Sequence, residues 1–158
     1  MLLLRKYSTI IMLLGLQVFV PCCKKNGGNT QPPNATKTFI NPVINGADPW
    51  IFKKDLFYYY THTLGNRIAL WKTSSTSKIG AVPNKEIFVP TPASPNSFNV
   101  WAPEIHLLDN KWYVYYTAGA GTDISQRTWV LENSNEDPTT GVWIDKGRIF
   151  ASDADSGQ

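Results

Sequence analysis

Asp48-Pro49-Trp50-Ile51-Phe52, Leu56-Phe57-Tyr58-Tyr59-Tyr60-Thr61 and Arg67-Ile68-Ala69-Leu70-Trp71-Lys72-Thr73-Ser74 are three consecutive segments that the chain writes twice. The second copy keeps the order: Ala102-Pro103-Glu104-Ile105-His106-Leu107, then Lys111-Trp112-Tyr113-Val114-Tyr115-Tyr116-Thr117, then Arg127-Thr128-Trp129-Val130-Leu131-Glu132-Asn133-Ser134. Tyr59 and Tyr115 stand 56 residues apart, whereas Arg67 and Arg127 stand 60 apart, which places an insertion in the connecting loop. Each segment is short, rich in aromatic and β-branched residues, and bounded by turn signals at Lys53-Lys54-Asp55, Leu64-Gly65-Asn66 and Asp109-Asn110. Such segments predict antiparallel strands. A fourth, weaker strand is expected to close each copy, near Glu86 to Val89 and near Gly147 to Phe150.

Four-stranded sheets repeated every roughly 40 to 60 residues are the pattern of propeller blades stacked around a channel. The competing reading is a plain β-sandwich with two similar meanders; a match over three strands in one order favours the propeller. The expected fold is therefore all-β, with blade one over about 39–97 and blade two over about 98–150. Two blades cannot close a ring and would leave open faces and strand edges. Further blades are accordingly expected beyond Gln158.

Composition agrees. Of the 158 residues 42% are hydrophobic and 17% charged, enough to bury a core, and eleven Pro and eleven Gly suit a turn-rich β domain. The net charge of +3 comes from scattered residues, so no nucleic-acid partner is indicated. No phosphate loop or dinucleotide fingerprint occurs.

The beginning of the chain reads as targeting sequence. Arg5 and Lys6 form a basic head, Tyr7 to Val20 an apolar stretch too short to span a bilayer comfortably, and Pro21, Cys22 and Cys23 follow. These are the chain's two cysteines, and neighbours in sequence do not easily bridge each other. Residues 1–23 are expected to be a lipoprotein signal with Cys22 or Cys23 as the lipidation site, and residues 24–38 a polar tether. The domain would then be exported across the inner membrane of a bacterium and held in the periplasm or at the cell surface, meeting the membrane only through a lipid anchor.

Asp48 opens the innermost strand of the first copy, where inner strands converge on the axis, and is a candidate for catalysis. Asp before Pro is equally a local turn solution. Glu104 stands near the corresponding place in the second copy, so two carboxylates facing one funnel would suit acid–base cleavage of a glycosidic bond; its structural alternative is a hydrogen-bonding strut. Trp50 and Trp101 flank the two carboxylates and could stack on the apolar face of a sugar ring. Core packing is expected for Trp112, Trp129 and Trp143 and for the tyrosine runs. His62 and His106 are candidates to line the channel, without partners that would make a metal site.

Asn41-Pro42-Val43, Ala47-Asp48-Pro49-Trp50-Ile51, Trp101-Ala102-Pro103-Glu104-Ile105-His106 and Lys111-Trp112-Tyr113-Val114-Tyr115-Tyr116 together resemble the opening blades of glycoside hydrolase family 43, over about Phe39 to Phe150. The resemblance implies a five-bladed propeller that cleaves arabinose- or xylose-containing oligosaccharides or polysaccharides with inversion, as an α-L-arabinofuranosidase or β-xylosidase. It makes Asp48 the general base, and it implies a general acid Glu and a pKa-tuning Asp from later blades, neither matched before Gln158. Glu104 is then not the acid; with Trp50, Trp101 and Ala102 it remains a candidate sugar contact, Trp101 and Ala102 forming a wall of the subsite. The Arg127–Glu132 segment and Asp137-Pro138 lean toward arabinose. No cofactor is implied; many members carry a structural calcium, which no motif here places. Gly46-Ala47-Asp48-Pro49-Trp50 departs from the Asn-Asp-Pro-Asn of the related fructan-cleaving group, and a carbohydrate-binding propeller without activity is the alternative of another class.

Overall fold

The computed structural model describes residues 40–150; the expected signal, the tether and both cysteines lie outside them. Eight strands follow in chain order: β1 Ala47–Lys54, β2 Phe57–Thr63, β3 Ile68–Thr73, β4 Asn84–Phe88, β5 Phe98–Leu108, β6 Lys111–Gly119, β7 Arg127–Asn133 and β8 Ile144–Arg148. They form two four-stranded antiparallel sheets, ordered β1-β2-β3-β4 and β5-β6-β7-β8. Each is a meander, since short connections let every strand pair with the next.

The duplication is real, but its register differs from the one that residue identity suggests. Lys54 pairs with Phe57 around a two-residue turn, and Leu108 pairs with Lys111 around another. Leu56, expected in a strand, belongs to the first of these turns. The hairpins therefore superpose at an offset of 54, which matches Thr63 to Thr117 and Tyr59 to Tyr113 rather than to Tyr115. A two-residue slip keeps every side chain on its own face, so the Tyr-Tyr-Thr match survives the error. The fourth strands also shift: β8 covers Ile144–Arg148, earlier than the expected Gly147 to Phe150, and β4 begins at Asn84.

Alternation decides what each face meets. Tyr59, Ile68 and Leu70 of the first sheet join Val100, Ile105, Trp112, Val114, Tyr116, Ala118, Trp129, Leu131 and Trp143 of the second in one buried core. On the opposite face of the first sheet, Tyr60, Ala69, Trp71 and Ile79 pack with Val43, Ile44, Leu64 and Val82, some contributed by the 3-10 turn Thr76–Ala81. Covered on both faces, β3 is apolar from Ile68 to Trp71 without a break. The expected core role of Trp112, Trp129 and Trp143 is met, and each buried indole finds an acceptor: Trp112 Nε1 donates to Glu136 O, Trp129 Nε1 to Ala118 O and Trp143 Nε1 to Pro138 O.

Polar contacts pin one sheet to the other. Gly65 and Val100 exchange both backbone hydrogen bonds, at 3.2 and 3.0 Å. Asn96, buried in the link between the sheets, donates to the Tyr116 hydroxyl at 2.9 Å and to Asp145 at 3.0 Å. Lys72 on β3 reaches across to Asp137, and its ammonium also lies 4.3 Å from the centre of the Phe57 ring. The hydrogen bond to Asp137 holds the Lys72 ammonium above the usual lysine range. Burial pushes the Asp137 carboxyl up, but hydrogen bonds from Lys72 and Thr139 outweigh it and hold the group below the usual carboxylate range.

The pH dependence follows from those two directions. A depressed acid stabilises the fold above its unfolded pKa, and that contribution is lost as pH falls through the folded value; a raised base loses its contribution only as pH rises past the lysine range. Asp137→Asn should therefore lower stability at neutral pH by about 1–3 kcal/mol. The difference from wild type should fade as the solution is acidified below about pH 4, as read by urea unfolding at a series of pH values.

Candidate functional site

Pro49 has no N–H to give the β1–β2 ladder, and the register shows the result. Ala47 pairs with Thr63 and Trp50 with Thr61, so Asp48 and Pro49 together face His62 alone. This is a β-bulge. The second sheet repeats it: Trp101 pairs with Thr117 and Glu104 with Tyr115, leaving Ala102 and Pro103 against Tyr116. At both bulges the residue before proline is left-handed, Asp48 with φ 52° and Ala102 with φ 46°. Asp tolerates that region better than most residues, whereas alanine is held there at a cost of about 1 kcal/mol or more. Asn99, at a further shift in β5, is also left-handed, with φ 55°.

The bulges settle which residues correspond. Ala102, not Glu104, stands in the second sheet where Asp48 stands in the first, and Glu104 takes the register of Trp50. The expectation that Glu104 lies near the place equivalent to Asp48 is corrected by two residues. Aligning Pro49 with Pro103 in the sequence carries this information; aligning the tyrosines hides it.

Asp48, Pro49, Trp50, Ala102, Pro103 and Glu104 line one pocket of ≈ 220 Å³. Four of the sequence-derived candidates, Asp48, Trp50, Ala102 and Glu104, are thereby brought together from two sheets. Trp101 does not line this pocket and keeps 38% of its surface exposed. Trp50 is half-buried against the core, its Nε1 donates to Ile105 O at 3.0 Å, and its ring lies 5.1 Å from that of His106. Its indole N–H is thus committed to joining the sheets, which leaves ring edge and face for a ligand. Glu104 faces His106 at 3.4 Å, so the strut reading of Glu104 has a partner.

Asp48 is exposed, and its Oδ2 accepts a hydrogen bond of 2.7 Å from the Thr63 hydroxyl. Thr63 Oγ1 in turn accepts the N–H of Ala102 at 2.8 Å. Sequence reasoning missed Thr63, because nothing local marks a threonine at the end of a strand; only the pairing of β2 with β1 puts it beside the bulge.

His62 does not join the site. It is buried at 5% exposure, its ring stacks on Trp71 at 4.7 Å, and burial pushes its pKa down. Gly46 lies so close that an added Cβ would sit 2.4 Å from the imidazole. A larger cavity, of ≈ 420 Å³, is lined by residues including Asn41, Val43, Tyr60, Thr76 and Ile79; it carries no acidic or basic side chain. Among the described residues no three His, Cys, Asp or Glu side chains converge.

Comparison with known proteins bears on the same residues. The profile of the family described as Glycosyl hydrolases family 43 matches residues 39–158. An extracellular exo-α-(1→5)-L-arabinofuranosidase of Streptomyces avermitilis is 38% identical over 125 residues, covering 76% of this chain and 26% of the relative. α-L-Arabinofuranosidase 43 of Humicola insolens is 34% identical, over 70% of this chain and 24% of its own length. The crystal structure of an α-L-arabinofuranosidase from Lactobacillus brevis superposes with a TM-score of 0.66 at 29% identity, over 71% of this chain and 39% of that one. The chain thus spans about a quarter of these curated relatives.

The left-handed bulge makes a direct test possible. Ala102→Gly should leave the thermal midpoint within a few degrees, because relieved strain offsets the added freedom of the unfolded chain. Ala102→Val places a β-branched residue in the same region and should cost about 1–3 kcal/mol, measured by thermal unfolding of both variants.

Proposed function

This chain belongs to glycosyl hydrolases family 43, and from that premise we propose that the whole protein hydrolyses O-glycosidic bonds in arabinose-containing plant-type polysaccharides, as an inverting α-L-arabinofuranosidase. The observation that carries the reading is the placement of Asp48. It lines a pocket built from both sheets, together with Trp50 and Glu104.

In this reading Asp48 is the general base. It takes a proton from a water that attacks the anomeric carbon on the face opposite the leaving group, while an acid roughly 6.5 to 9.5 Å away protonates the departing oxygen. Trp50 and Glu104 shape the floor of the subsite, and Ala102, with Trp101 beyond it, forms a wall. The general acid and the aspartate that tunes it, which the family resemblance implies, would be contributed by other blades of the whole protein. Two meander sheets packed through one core are compatible with the first two blades of a five-bladed propeller, in which inner strands β1 and β5 face the channel. Arabinose is favoured over xylose because the relatives with the matching sequence are named arabinofuranosidases. Export is supported by the extracellular designation of the Streptomyces relative; lipidation at Cys22 or Cys23 would keep the protein at the membrane.

In the full-length protein, Asp48→Asn should lower the rate on an aryl α-L-arabinofuranoside by about 10²–10⁴-fold with the thermal midpoint nearly unchanged. An unaltered rate would remove Asp48 from the chemistry. The 158-residue chain alone should show no turnover of the same substrate, since a base without its acid performs half of the proton transfers.

A further inference from the structure

We propose that Thr63 is the positioning residue for Asp48, fixing which carboxylate oxygen meets the water and coupling that choice to the packing of the second sheet; this rests on Asp48 being the base. A threonine hydroxyl has one proton and two lone pairs. The Ala102 N–H occupies a lone pair of Thr63 Oγ1 at 2.8 Å, so the hydroxyl proton is directed at Asp48 Oδ2, 2.7 Å away. Oδ2 is thereby engaged and Oδ1 is left to accept from water. Asp48 is exposed, and among the described residues this contact is the side-chain hydrogen bond that holds its rotamer. Thr63 is itself stiff, being β-branched, half-buried and paired with Ala47 across the ladder.

The arrangement needs both sheets. The bulge at Ala102-Pro103 takes the Ala102 N–H out of the β5–β6 ladder and turns it toward Thr63. The second sheet has a threonine at the matching position, but that residue meets no acid. Thr117 pairs with Trp101 as Thr63 pairs with Ala47, yet the bulge beside it holds Ala102, and its hydroxyl contacts Trp101 O at 3.5 Å. The scaffold is common to both sheets, and one side chain makes the first of them a candidate site.

The test is made in the full-length protein with an aryl α-L-arabinofuranoside, comparing Thr63→Val, Thr63→Ser and Asp48→Asn. Thr63→Val should lower kcat about 10–100-fold with KM within about twofold, Thr63→Ser should stay within about threefold of wild type, and Thr63→Val should add no further loss in the Asp48→Asn background. A latch that only joined the sheets would lower the thermal midpoint and leave kcat per folded molecule alone. Wild-type kcat in Thr63→Val beside an inactive Asp48→Asn overturns the positioning role while leaving the base in place. A Thr63→Ser as slow as Thr63→Val overturns the part assigned to the hydroxyl, and full activity in Asp48→Asn removes both the base and its positioner. Where the valine variant does not fold, Thr63→Ala against Thr63→Ser decides the same question.

Discussion

A proline within each sheet's first strand has no N–H to offer its neighbour, and the features of the candidate site descend from that deficiency. At Pro49 and Pro103 the ladder skips, two residues face one, and the preceding residue turns left-handed. In the first sheet this sets the Asp48 carboxylate beside Thr63, and in the second it frees the Ala102 N–H to reach back to the same hydroxyl. A regular strand could have spent that N–H on ladder pairing. The conformation costs energy at Ala102 in particular, and the surrounding packing holds it there.

That packing is a single core shared by two sheets. Neither sheet buries its apolar face alone, because Tyr59, Ile68 and Leu70 share one core with side chains of β5, β6 and β7. Burial supplies attraction without direction. Direction comes from polar contacts that join the sheets or fix the loops beside them: Trp50 on Ile105 O, the paired bonds of Gly65 with Val100, the Asn96 network and the bridge from Lys72 to Asp137. Each leaves a buried or half-buried polar group satisfied, and those that run from one sheet to the other would be broken by sliding the sheets. The pocket around Asp48 is lined by residues of β1 and β5, so its shape depends on that alignment.

Family membership and pocket geometry speak at different levels. The match over residues 39–158 says which lineage of hydrolases the chain comes from. The structure says how one carboxylate is presented, and by which neighbours. Trp50 illustrates the difference. A tryptophan beside an acid suggests sugar stacking, yet its N–H is engaged with Ile105 O and the half-buried ring packs against the core, so the structure fixes the indole in place.

Strand content and the duplication could be read from the sequence, and Asp48 singled out as a candidate, because alternation, turn residues and repeated motifs are local signals that survive without coordinates. The tryptophans of the core were legible for the same reason: they sit on the apolar phase of their strands. Register was not. A shift of two residues leaves every face unchanged, so the tyrosine runs suggested an offset of 56 where hydrogen bonding imposes 54, and with it Ala102 replaced Glu104 as the counterpart of Asp48. Nor could the chain's order of residues disclose Thr63, or the retreat of His62 into a stack with Trp71. Those depend on which backbone groups the bulges release and on which side chains a second sheet brings within reach, and contacts between residues far apart in the chain exist only once the sheets have packed.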